Sequence, residues 1–136
     1  MDEGPILIVE DDPDNAALTV LALEEAGLTN KIILASDGVQ ALELLLAPLV
    51  PLLPCLVLLD IAMPRMDGWE TLRRIRADRR TAPLRVIIVT SSKRAANSAR
   101  LRGMGADGYL HKSLPFATFS ADLRQTVLPL MQKEAA

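Results

Sequence analysis

Residues 6–13 read ILIVEDDP, and the order of these residue types decides the fold. Four apolar residues stop abruptly at three acids. That is how a strand covered on both faces reads when its end reaches water. Asp12 followed by Pro13 then starts a helix. The aspartate caps the free N–H groups, and the proline sits where its missing N–H costs nothing. A buried strand running straight into a helix is one β–α unit, and the pattern recurs along the chain.

The first helix carries Leu18, Leu21 and Ala22 on one side and stops at Gly27, a residue suited to the left-handed C-terminal turn. KIILA (31–35) is a second strand, and Asp37-Gly38 opens a second helix to about residue 46, with Val39, Leu42 and Leu46 at helical spacing. APLVPLLP (47–54) is a proline-rich loop, read as either a lid over the second helix or an exposed patch for a partner. CLVLL (55–59) is a third strand ending at Asp60, and Cys55 is a small apolar filler at its start. A third helix runs from Trp69, a packing residue, to about Arg80, with five arginines at or near its C-terminal half, where cations suit the helix dipole. RVIIV (85–89) is a fourth strand ending at Thr90, followed by a weaker helix over 94–104. Residues 108–111 form a short fifth strand that reaches Lys112; its His111, the lone histidine, reads as a surface strand residue rather than a relay histidine. A last helix spans about 116–128, with Phe116, Phe119, Leu123 and Leu130 mainly facing the core. Pro129 should end or kink it, since an interior proline costs about 3 kcal/mol. Regular alternation of strand and helix means a parallel sheet covered on both faces. Five strands in a chain this short fit the flavodoxin-like, doubly wound (βα)5 order 2-1-3-4-5.

The 136 residues make one domain. Half are hydrophobic and 24% are charged. Fifteen basic against 17 acidic residues give a net charge of −2, which argues against a nucleic-acid footprint. One cysteine excludes an internal disulfide and a multi-cysteine zinc site. The apolar run 44–59 is interrupted by Pro48, Pro51 and Pro54, and the N-terminus is acidic. Neither a membrane span nor a signal peptide reads that way, so a cytoplasmic location is expected.

The strands end in chemistry. In an open parallel sheet the ligand crevice lies beyond the carboxyl ends of the strands, where the strand order switches. Strands 1 and 3 flank that switch, so Glu10, Asp11 and Asp60 should share one pocket, with Thr90 and Lys112 on its far side. Three carboxylates carry about −3 at neutral pH and call for a cation. Oxygen ligands without imidazole or thiolate point to Mg²⁺. With the metal and Lys112 the charge sums to near zero, and the site can accept an anion. An aspartate nucleophile could then take a phosphoryl group, its oxygens held by metal, lysine and hydroxyl.

The segments ILIVEDD (6–12), SDGVQAL (36–42), LVLLDIAMPRMDG (56–68), RVIIVTSS (85–92) and GADGYLHK (105–112) together resemble the CheY-like receiver domain of two-component response regulators. The resemblance covers about residues 5–128, leaves 129–136 as a tail, and implies an output through protein contact or phosphoryl relay rather than through an output domain. It implies that Asp60 is the phospho-acceptor. Asp11 would ligate Mg²⁺ directly, Glu10 through water, and Ala62 through its backbone carbonyl. Thr90 and Tyr109 would be the switch pair, and Lys112 the phosphoryl partner. Asp12 falls outside the acidic pair, as an N-cap. The chain would then be a phospho-acceptor and not an enzyme acting on a separate substrate. Two positions depart from the family pattern. Ser113 stands where receivers carry a cis proline, and a cis bond before serine costs about 2.5–4 kcal/mol. Ala62 and Ser92 are small, which implies open water access and no unusually long phosphoryl lifetime.

VEDDPDNAALT (9–19), the long loop before strand 3 and TSS (90–92) are similar to a subfamily of single-domain regulators. Its members often partner hybrid or phytochrome-type sensor histidine kinases. Receivers also commonly form homodimers through the surface of the fourth helix, fifth strand and last helix. Competing readings are weaker. A flavodoxin-like electron carrier needs a Ser/Thr/Gly-rich phosphate loop where this chain has EDDPD. An aspartate-nucleophile phosphatase needs a second aspartate at position 62. A pseudo-receiver would not keep both the acids and Lys112.

Overall fold

The computed structural model describes residues 4–61, 63, 65–91, 103, 105–112 and 115–132. The strands are β1 (Ile6–Val9), β2 (Ile32–Ala35), β3 (Leu56–Asp60), β4 (Val86–Thr90) and β5 (Gly108–His111). The helices are α1 (Pro13–Glu25), α2 (Gly38–Leu45), α3 (Gly68–Ala77) and α4 (Phe116–Gln132). All neighbouring strands run parallel, in the order β2-β1-β3-β4-β5. This is the doubly wound arrangement the alternation predicts. The helix expected over 94–104 lies, but for residue 103, outside the described residues.

Two-residue periodicity splits the core into two layers. Ile6, Ile8, Leu56, Leu58, Ile87 and Val89 pack with residues of α1 and α4 on one face. Leu7, Val9, Val57, Leu59, Val86 and Ile88 pack with residues of α2 and α3 on the other. β1, β3 and β4 are buried at every position, so they read as continuous apolar runs. Each fully buried Leu or Ile contributes roughly 1.5–3 kcal/mol. Asp12, Asp37 and Asp67 cap the first three helices by accepting from Asp14 N, Gln40 N and Glu70 N.

Four local expectations need correction or completion. Leu18 and Leu21 are exposed; α1 instead buries Ala16, Thr19, Ala22 and Leu23. Its sequence is apolar nearly all round, and the small residues form the side that can approach its neighbours closely. α1 does stop at Gly27 (φ +87°), with Leu28 N donating to Leu23 O. α3 ends at Ala77 rather than near Arg80, because Thr81 Oγ1 donates to Ile75 O at 2.7 Å and takes over a carbonyl at the helix end. Arg76 there reaches the carbonyls of Ala82, Leu84 and Gly105, so it holds loops together rather than only answering the dipole. α4 continues through Pro129 to Gln132, so the last helix does not end at 128. Val127 and Met131 are completely buried on either side of the proline, and their burial offsets its cost of about 3 kcal/mol.

The loop 47–54 divides between its two readings. Leu52 packs on the α2 side of the core and donates its N–H to Leu44 O at 2.8 Å. Leu49 and Val50 are 91% and 83% exposed. Cys55 is buried, with Sγ 3.1 Å from Gly4 O and 3.9 Å from Met131 Sδ. No helix among the described residues is long and apolar enough to cross a membrane.

Candidate phosphoryl-acceptor site

Strand register assembles the site. Val9 pairs with Leu59, so the next residues, Glu10 and Asp60, stand abreast on neighbouring strands. Thr90 pairs with His111, and Lys112 N donates to Thr90 O at 2.9 Å, which carries Lys112 just past the sheet edge. The Lys112 ammonium lies 3.1 Å from Glu10 Oε1 and 3.0 Å from Asp60 Oδ2. Carboxylate oxygens of Glu10, Asp11 and Asp60 lie within 4.8 Å of one another. The five residues expected at the site, Glu10, Asp11, Asp60, Thr90 and Lys112, thus gather at the carboxyl ends of β1, β3, β4 and β5. Ala62, Ser92 and Ser113 lie outside the described residues, so the expected carbonyl ligand, the small side chain after Thr90 and the bond after Lys112 do too.

Burial makes the site electrostatically expensive. The side chains of Asp60, Glu10 and Lys112 are only 3%, 6% and 16% exposed. Burial, with the Asp60 carboxylate beside it, pushes the Glu10 carboxyl up to about 7, against the pull of Lys112. Burial draws the Lys112 ammonium down, but Asp60 and Glu10 outweigh it and hold it above its ordinary value. Without a metal the lysine is the site's own counter-ion. The residues fit a hard divalent cation: three carboxylates converge within ligand reach, and all the donors are oxygens.

The remaining candidates surround this centre. Thr90 is buried at the end of β4. Tyr109, on the edge strand β5, is partly buried against the α2–α3 layer. Trp69 packs in the same layer. His111 Nε2 lies 3.0 Å from Ser91 O, consistent with a strand residue tied to the β4 end.

One pair is not legible in the sequence. Arg65, in the loop between β3 and α3, meets Asp37 through two bonds, Nε to Oδ2 at 2.7 Å and Nη2 to Oδ1 at 3.0 Å. Its sequence signal is a single basic residue in the loop, too weak to point at a helix cap 28 residues earlier.

The chain is an open parallel sheet with a buried carboxylate, an acidic partner and a bridging lysine at the end of its central strands. The chain belongs to the response regulator receiver domain family, whose family model matches residues 6–124. It is a receiver of the kind used by two-component systems. Among similar proteins, the DNA-binding dual master transcriptional regulator RpaA of Synechocystis sp. is 34% identical over 88% of this chain and 47% of its own length. The chain therefore spans about half of that relative. The solved bacteriophytochrome response regulator RtBRR is 30% identical, covering 93% of this chain and 80% of that one, with a TM-score of 0.79. The Mn²⁺-bound form of response regulator Rcp1 is 25% identical over 90% of each chain, with a TM-score of 0.78.

Proposed function

We propose that the chain accepts a phosphoryl group on Asp60 from the phosphohistidine of a sensor kinase and signals through the surface that this charge reshapes. The observation that carries this reading is the Lys112 ammonium bridging Asp60 and Glu10 at 3.0 and 3.1 Å, at the sheet's crevice end. With a divalent cation held among the acids, this lysine would complete a site for an anion.

Asp60 would present one carboxylate oxygen to phosphorus. As that P–O bond forms, the P–N bond of phosphohistidine breaks and the imidazole leaves. Mg²⁺, when bound by Asp11, Asp60, Glu10 through water and the Ala62 carbonyl, would neutralise the phosphoryl oxygens. Lys112 would exchange its Asp60 contact for the phosphoryl group, and Thr90 would turn its hydroxyl toward it. Tyr109 would follow into the space released. The phosphoryl group brings a charge of about −1.5 to −2, partly offset by the carboxylate charge lost on Asp60, and this local change would drive the rearrangement. A homodimer through the helix expected over 94–104, β5 and α4 is one way to read out the change. The likeness to the bacteriophytochrome response regulator RtBRR supports a phytochrome-type kinase as donor, and the chain's work would be done in the cytoplasm.

Acetyl phosphate with Mg²⁺, followed by intact-mass detection, tests the proposal. Wild type should gain one acid-labile phosphoryl group and Asp60→Asn should gain none. No adduct on wild type, or an undiminished adduct on the variant, would overturn it.

A further inference from the structure

The loop after Asp60 is held by two separate contacts. Gly68 N donates to Ile61 O at 2.8 Å and closes the loop into a ring. A Cβ on Gly68 would lie 2.7 Å from Ile61 Cα, so the ring depends on that glycine. Arg65 lies on the opposite side of the ring, with φ +64°, a left-handed backbone that an arginine rarely adopts. Its guanidinium forks onto Asp37, whose carboxylate is nearly buried and already caps α2 through Gln40 N at 2.8 Å. The two elements are also in close approach: a Cβ on Gly38 would meet Met66 O at 3.0 Å. The forked, charge-assisted pair thus fixes a strained loop residue to the N-terminus of a neighbouring helix.

The geometry points to the Asp37–Arg65 pair as a positioning clasp for the phosphoryl-acceptor loop, one that raises the site's affinity for Mg²⁺ by holding the backbone after Asp60 in place before the ion arrives. This rests on the phospho-acceptor reading of Asp60. The residues between Asp60 and Arg65 include the expected metal carbonyl at 62. With Ile61 joined to Gly68 and Arg65 tied to Asp37, less freedom is lost when the ion binds. Neither Asp37 nor Arg65 belongs to the acidic cluster of Glu10, Asp11 and Asp60, so in this reading they are positioning residues.

Two variants separate the clasp from other roles. Asp37→Asn keeps an oxygen to cap α2 but loses the charged fork. Arg65→Gly removes the guanidinium while relaxing the positive φ. Titration with MgCl2 alone, followed by amide NMR, should give dissociation constants about two- to fivefold weaker in each variant, since Arg65 is half exposed. The double variant should be no weaker than either single one, because the same interaction is gone. Without metal, the Gly68 amide should exchange faster with solvent in both. Wild-type Mg²⁺ affinity in either single variant overturns the clasp, whatever happens to melting temperature. So do effects that multiply in the double variant. An acetyl phosphate assay on wild type keeps the failures apart. No adduct on Asp60 despite Mg²⁺ binding sinks the acceptor reading, while an adduct with unchanged variant affinities sinks the clasp alone.

Discussion

Replacing Lys112 by methionine should destabilise the metal-free protein, and more so at high pH. The ammonium makes two charge-assisted hydrogen bonds, at 3.1 Å to Glu10 and 3.0 Å to Asp60, in a place where both carboxylates are buried. Each such bond contributes about 1.5–3 kcal/mol, and removing one partner of a buried pair costs about 3–5 kcal/mol. The Glu10 carboxyl titrates at about 7 in the folded chain, well above its ordinary value. Between the ordinary carboxyl range and pH 7 the folded chain therefore holds a proton that the unfolded chain has released. The stability Glu10 contributes is lost as pH rises through that window. At about pH 5.5 Glu10 is protonated, and the variant loses mainly the Asp60 bond, about 1.5–3 kcal/mol. At about pH 8.5, above the Glu10 value, the Glu10 bond is lost as well, and the loss should reach about 3–5 kcal/mol. Urea denaturation in chelator at the two pH values measures the difference. Excess Mg²⁺ should restore part of the loss at the higher pH by supplying the missing charge. An equal loss at both pH values, or none at the higher one, would refute the counter-ion role of Lys112.

Further outcomes follow from the same geometry. Because burial and Asp60 hold the Glu10 carboxyl up to about 7, Mg²⁺ affinity should fall as pH drops from 8 to 6. The fall should reach at most about tenfold per pH unit below 7, read by metal titration. Gly68→Ala forces a Cβ to within 2.7 Å of Ile61 Cα and should cost about 1–3 kcal/mol in urea denaturation, with slower acetyl phosphate labelling. Arg76→Ala removes bonds to Ala82 O, Leu84 O and Gly105 O and should lower stability by about 1.5–3 kcal/mol, without abolishing labelling of Asp60.

The strands and their order are legible because the central ones are buried on both faces. A short uninterrupted apolar run such as ILIV or LVLL, bounded by acids or loop residues, suits the centre of a parallel sheet better than a helix. The acids and Lys112 are legible for the complementary reason: charge at the end of a buried strand has little structural use. The buried side of α1 is not, since Leu, Val and Ala surround that helix and only its neighbours decide which side is covered. The extent of α4 is hidden because burial of Val127 and Met131 outweighs the local preference of Pro129. The Asp37–Arg65 pair joins a helix cap to a loop 28 residues on, and no local pattern encodes such a meeting.

Borohydride trapping of the phosphorylated protein tests the central claim most directly. It reduces an aspartyl phosphate to homoserine and marks the residue that carried it. After acetyl phosphate and Mg²⁺, peptide mapping should find homoserine at position 60, in the segment LVLLDIAMPRMDG, and nowhere else. Conversion at Glu10, Asp11 or Asp12 instead, or no conversion in protein that has taken up phosphate, would contradict it.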